Sequence, residues 1–433
     1  MEVATMRRKL NNPLIAGSVV VMAGSFLVNI LSYLFQLLMG RLLSVSDYGI
    51  LVSLFSLAAI LNVPAIILNT SIVKIVSELK ANNLYEAVSG LFLWLVKTLS
   101  FVSVFIIFLS FVLNRQILHF LNFNNPLAFM IFMLFVVVSL VLTIPLSFLQ
   151  GLQNFTKFSV SNIMMALNKF FLGIGITLLT YEITGTFLGM FIGALISFVI
   201  VCLFLRKDLR LTTGAEISKW LKKLLMFALP SSLTLLSLTA LFNVDVVLVK
   251  HFFSEEISGV YSSMVIIGRI MFFGASSISL VLFPLSSENY AKGKNTSKVF
   301  LSSLALTTAL LLCGLFVFVF FPKFVVLTLF GSSYIKAVEY LPKFTIFMFL
   351  YTLIYLFSQY FLSIYKTKIG IVLAVGAFTQ ILLIWLRHNS LSMVIDNLIY
   401  INAVLFAMML GYYILNSKIQ ITNDKSSSKF KKF

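Results

Sequence analysis

A chain of 433 residues that is 60% hydrophobic and 11% charged carries more apolar side chain than a soluble core can bury, so the bilayer must be its solvent. Its formal charge of +18 comes from basic residues scattered between hydrophobic runs, which excludes a nucleic-acid face and points to membrane topology instead. The two cysteines, Cys202 and Cys313, lie in separate apolar runs and give neither a disulfide framework nor a thiol metal site.

In chain order, Arg7, Arg8 and Lys9 precede an apolar run over 14–39. That run is too long for a signal-peptide core and has no small-residue cleavage site, so it is read as a retained first helix. Asn29 and Gln36 lie on it as candidates for a polar interior or for interhelical hydrogen bonds. The run over 49–73 contains Pro64 and leads to Ser77-Glu78. Runs over 90–113, 126–149, 161–180 and 184–205 complete a first half, with Lys97 in the third, Pro145 in the fourth and Lys169 in the fifth.

Six basic residues lie between Arg206 and Lys223, where Ser218–Lys223 could lie amphipathically on anionic lipid. The second half has runs over 225–249, 258–285, 300–321, 341–364, 369–386 and 393–415. Pro230 and Asn243-Val244-Asp245 fall in the first of these, Arg269 in the second, and Gln380 and Asn402 in the last two. The Ser/Lys-rich tail reads as disordered.

The runs are continuous and near the ~20 residues a helix needs to cross, without the alternation of membrane strands. The expected fold is therefore all-α, with about twelve transmembrane helices. Its expected parts are a lobe over 1–205, a basic linker over 206–224, a lobe over 225–415 and a tail over 416–433. With the N-terminus inside, 22 of the 32 lysines and arginines fall on the cytoplasmic side, which fixes the orientation and puts both termini there. His119, His251, His388, Lys250 and Arg41 then fall in outer segments. Six spans per half make the halves parallel repeats. Eight residues recur 210 positions apart over 38 positions: Ser44, Gly49, Ser53, Ile60, Ala65, Ser77, Glu78 and Ala81. Polar landmarks keeping one offset suggest duplication.

An ionisable group inside a span faces a cavity or a partner. Arg269 lies about 11 residues into the eighth span, roughly 16 Å deep at 1.5 Å per residue. Lys97 and Lys169 lie some two turns from a membrane surface and either snorkel or face a cavity. Asp245 is a candidate proton or cation site, or a structural partner of Arg269. Pro64, Pro145 and Pro230 are candidate hinges or ordinary kinks. The histidines match no zinc spacing and no metal site is expected. No Walker A sequence, nucleophile elbow or HExxH motif is present, so neither ATP-driven pumping nor those hydrolytic chemistries have support, and no cofactor is expected.

Three segments carry a family resemblance: Gly40-Arg41-Leu42-Leu43-Ser44-Val45-Ser46-Asp47-Tyr48-Gly49, Leu149-Gln150-Gly151-Leu152-Gln153-Asn154-Phe155, and Asn243-Val244-Asp245 with Gly259-Val260-Tyr261. Over about residues 10–415 the chain resembles the polysaccharide-biosynthesis flippases, the Wzx or RfbX-like branch of the multidrug/oligosaccharidyl-lipid/polysaccharide exporter superfamily. The resemblance implies two six-helix lobes around a central cavity that opens alternately to each side. The implied cargo is a sugar chain on a polyprenyl pyrophosphate. By position, Arg269 resembles a cationic cavity residue of the lipid-II flippases, Arg41 more loosely, and Asp245 an acidic residue tied to cation coupling.

The expected substrate ligands are thus Arg269, Arg41, Lys97 and Lys169, with Asp245 for coupling. The expected partners are lipid-linked oligosaccharide, membrane lipids and glycan-assembly proteins, at the cytoplasmic membrane. The competing classes are an ion-coupled drug exporter, a membrane glycan polymerase, and a scaffold contacted through the basic tail. The polymerase is disfavoured because the longest outer segment is only about twenty residues.

Overall fold

The computed structural model describes residues 13–180, 182–206, 209 and 218–430. It describes side chains over 20–180, 182–206, 209, 220, 232–290 and 292–415. Arg7, Arg8, Lys9, most of the basic linker, the side chain of Pro230 and the side chains of the tail lie outside that set.

Every regular element in it is helical. The first unit holds α1 (Pro13–Leu42), α2 (Val45–Leu61), α3 (Val63–Ala81), α4 (Tyr85–Val112), α5 (Asn114–Phe120), α6 (Pro126–Gly151), α7 (Phe155–Thr180) and α8 (Ile183–Arg206). Next come α9 (Ser218–Phe252), α10 (Glu255–Ala291), α11 (Ser297–Phe320), α12 (Pro322–Leu329), α13 (Ala337–Ser363), α14 (Ile369–Leu386) and α15 (Leu391–Phe430). Eleven of these are long and apolar enough to cross a membrane, and the α2–α3 pair, bent by 45°, makes twelve candidates if it crosses as one span.

The bend falls where Pro64 opens α3 after Asn62, so it has the ordinary cause of a missing N–H. Pro145, by contrast, lies inside an unbroken α6. The last helix runs to Phe430 and takes in most of the tail expected to be disordered; extending a helix already formed fixes one more residue per hydrogen bond, without a new nucleus.

Two compact units emerge, Met1–Ser232 and Leu233–Phe433. The division falls inside α9, because Trp220 packs on the first unit's cluster around Ile75, Leu149 and Leu205. Within the first unit α6 is packed by α3, α4 and α8, and α7 by α1 and α8. Within the second, α13 is packed by α10, α11 and α15, and α14 by α15. In both, the fourth span is the hub.

The recurring residues now have local causes. Ser44 caps α2, its Oγ accepting from the Asp47 N–H at 3.0 Å, and Ser254 caps α10 by accepting from the Ile257 N–H at 3.5 Å. Ser77 donates to the Gly151 carbonyl at 2.9 Å, and Lys80 to the Leu152 carbonyl at 2.5 Å, which satisfies acceptors left open where α6 ends.

Left-handed residues among those described follow the same repeat. They are Asn83 and Gly293, Asn122 and Gly331, and Gln153 and Tyr365, pairs separated by 210, 209 and 212 positions. The short helices α5 and α12 also stand in equivalent places, after the third span of each half.

Candidate functional site

In the second unit, one stretch of α9 collects side-chain donors from three neighbouring helices. Tyr351 of α13 donates to the Leu238 carbonyl at 3.0 Å, Gln380 of α14 to the Leu241 carbonyl at 3.1 Å, and Arg269 of α10 to the Phe242 carbonyl at 2.8 Å. A helical carbonyl already accepts from four residues on, and its second lone pair is what these donors use. Arg269 also donates to Asn243 Oδ1 at 3.0 Å, and its guanidinium stands 4.4 Å from the centre of the Phe242 ring. Phe242 is in turn packed by Phe272 and Tyr351, each 4.8 Å between ring centres. The result is a fixed, partly buried cation in an aromatic setting.

Asp245, one turn beyond, is buried and accepts a hydrogen bond from the Tyr261 hydroxyl at 2.5 Å. Its Oδ1 accepts none. Arg269 and Asp245 are thus brought into one region without a direct hydrogen bond, each anchored by a different partner. Gln380 Oε1 and Asn402 Oδ1 are buried acceptors without hydrogen bonds as well. Such hard oxygens suit a proton or a small cation rather than a soft metal. Among the described residues no cluster of three or more His, Cys, Asp or Glu side chains exists.

In the first unit, the ammonium of Lys169 on α7 stands 4.8 Å from the ring centres of both Phe35 and Phe55. The pair clamps a partly buried cation between α1 and α2. Arg41 is exposed in the last turn of α1, where a positive charge complements the helix dipole. Lys97 is exposed on α4 in line with Leu93 and Phe101, the surroundings in which a lysine stem snorkels. Neither α3 nor α6, the helices that pack α4, carries the Lys169 clamp.

Two placements differ from the sequence expectation. Lys250 and His251 close the last turn of α9 rather than lying in an outer loop, and Lys250 is 0% exposed. His251 stacks on Trp385, at 5.6 Å between ring centres, because the aromatic ends of α9 and α14 meet there. The contribution of Tyr261 was not anticipated, nor were the α9 carbonyls. A Tyr sixteen residues past an Asp gives no periodic signal, and a carbonyl acceptor gives none at all.

Comparison with solved structures gives the same fold. An inward-facing multidrug resistance MATE family transporter of the MOP superfamily superposes with a TM-score of 0.76 at 12% identity, over 92% of this chain and 99% of that one. The lipid II flippase MurJ, inward closed, gives 0.69 at 15% identity over 92% and 87%. A MOP superfamily transporter from Pyrococcus furiosus gives 0.63 at 14% identity over 94% of each chain. No curated protein matches the sequence. Residues 14–290 match the model described as "Polysaccharide biosynthesis protein", and the chain therefore belongs to that family, a multi-pass membrane protein with the fold of those transporters.

Proposed function

We propose that the chain carries a polyprenyl-diphosphate-linked oligosaccharide from the inner to the outer leaflet of the cytoplasmic membrane by alternating access, in the synthesis of a cell-surface polysaccharide. The observation that carries this reading is Arg269. A guanidinium deep in a span, oriented by a carbonyl, an amide and an aromatic face, is ready to accept a diphosphate that cannot enter hydrocarbon with its water. Family membership supports it, and the name of the lipid II flippase supplies a precedent for lipid-linked cargo on this fold. Lys169, Arg41 and Lys97 are the further cations offered to the anionic headgroup. Asp245, with one carboxylate oxygen bonded and the other unbonded, is the coupling site.

The test is reconstitution in vesicles with fluorescent lipid-linked oligosaccharide, scored by leaflet accessibility with and without ion gradients. Arg269→Ala is expected to slow movement by about 10- to 100-fold, the worth of one charge-assisted contact, at unchanged protein level. Normal movement in that variant would reject the assignment.

The likeness to a multidrug transporter favours a second reading, an ion-coupled exporter of small molecules. Drug resistance on expression, with lipid-linked sugars unchanged, would select it.

A further inference from the structure

Tyr365 is the residue whose conformation the fold explains least. It follows the C-terminal end of α13 at φ +59°, where comparable helix ends carry Asn83, Asn122 and Gly293 and the counterpart in the first unit carries the unbranched Gln153. A bulky side chain is disfavoured there, whereas Gly and Asn enter readily. The helix ending itself needs no ring: the Tyr365 N–H reaches the Leu362 carbonyl at 3.1 Å and the Lys366 N–H the Phe361 carbonyl at 2.8 Å. Burial does not compensate either, since Tyr365 is 75% exposed and its ring meets Tyr290, itself exposed, at 6.1 Å between centres. Strain kept at an exposed aromatic side chain points to a use outside the fold.

The surroundings identify the use. Lys294, Lys366 and Lys368 flank the two rings in sequence, while Lys292 is engaged by Glu288. A buried hydrogen bond of 2.9 Å between Thr296 and Tyr360 fastens the α10–α11 connector to α13, so the two sides of the pair are held together. Two exposed tyrosine rings with lysines one to four residues away in sequence fit a sugar ring stacked by its C–H face and an adjoining diphosphate drawn to the lysines.

We infer that Tyr365 and Tyr290, with Lys294, Lys366 and Lys368, form a loading platform for the sugar-diphosphate headgroup at the cytoplasmic end of the second unit. This rests on the flippase reading above, and the platform acts before cargo reaches Arg269.

Tyr365→Gly tests it cleanly, because glycine is the residue the backbone prefers, so misfolding does not explain a loss. The full-length chain in nanodiscs is titrated with undecaprenyl diphosphate bearing glucose, galactose or N-acetylglucosamine, and its thermal midpoint is measured alongside. The expected result is a midpoint at or above that of the unmodified chain with sugar-lipid binding weakened about five- to tenfold. Tyr365→Phe keeps the binding, and undecaprenyl monophosphate is insensitive to either change.

Unchanged sugar-lipid binding in Tyr365→Gly overturns the platform, as does a lowered midpoint, which makes the ring structural. An equal loss for undecaprenyl monophosphate and phosphatidylglycerol overturns it too, making the tyrosine an interfacial anchor. These outcomes leave the flippase reading standing, whereas failure of the unmodified chain to bind any of the sugar lipids removes both.

Discussion

A buried carboxylate with one hydrogen bond depends heavily on that bond, and in Asp245 the donor is the Tyr261 hydroxyl at 2.5 Å. Tyr261→Phe removes the oxygen and keeps the ring, with its edge contact to Phe344 at 5.7 Å between centres. The expected cost is about 1–3 kcal/mol of stability, the penalty for leaving a buried polar atom unpaired, read as a lower thermal midpoint. Combined with Asp245→Asn the loss should fall short of the sum of the two single losses, since both act on one contact. Fully additive losses would show that the hydroxyl and the carboxylate do not stabilise each other. Arg269 obeys a different logic, because its Nη2 donates to a carbonyl and an amide while the flat guanidinium lies against the Phe242 ring; Lys there keeps the charge and loses that planar contact.

Helix packing in the first unit turns on close backbone approach between α7 and α8. A methyl group on Gly189 would stand 2.2 Å from the Leu172 carbonyl oxygen, a backbone atom that cannot swing aside, whereas one on Gly175 would meet nothing within 4 Å. Gly189→Ala is therefore expected to destabilise by roughly 1–3 kcal/mol through forced separation of the helices. Gly175→Ala should instead stabilise by up to about 1 kcal/mol through helix propensity. Equal midpoints for the two variants would contradict this packing. The same scale shows what the sequence could and could not convey. Span positions were legible because run length against bilayer thickness is a property of consecutive residues, and Pro64 announced its bend because a missing N–H is written in the residue itself. The donors converging on Leu238, Leu241 and Phe242 were not legible, since any helix offers such carbonyls and only tertiary packing selects three. Lys250 was expected just past a run ending at 249, and its burial in the last turn of α9 is set by tertiary packing that run length does not convey.

Across the whole molecule, duplication has preserved scaffold and diverged in charge. Caps, left-handed helix ends and the hub role of the fourth span recur in both units. At the offset of 210, however, Asp245 corresponds to Phe35 and Arg269 to Ala59. Phe35 is one of the two rings that hold Lys169, so the position that is acidic in one unit serves a cation in the other. If the basic residues set orientation as the positive-inside bias requires, the connector between α13 and α14 is cytoplasmic and the segment between α12 and α13 is external. Thr367 and Ser333 are exposed positions in those two connections. With Cys202 and Cys313 replaced by Ser, a membrane-impermeant maleimide should label Ser333→Cys in intact cells. It should reach Thr367→Cys only after permeabilisation. The reverse pattern would invert the topology and place the Tyr365 platform on the outer face, where it could receive cargo only after translocation.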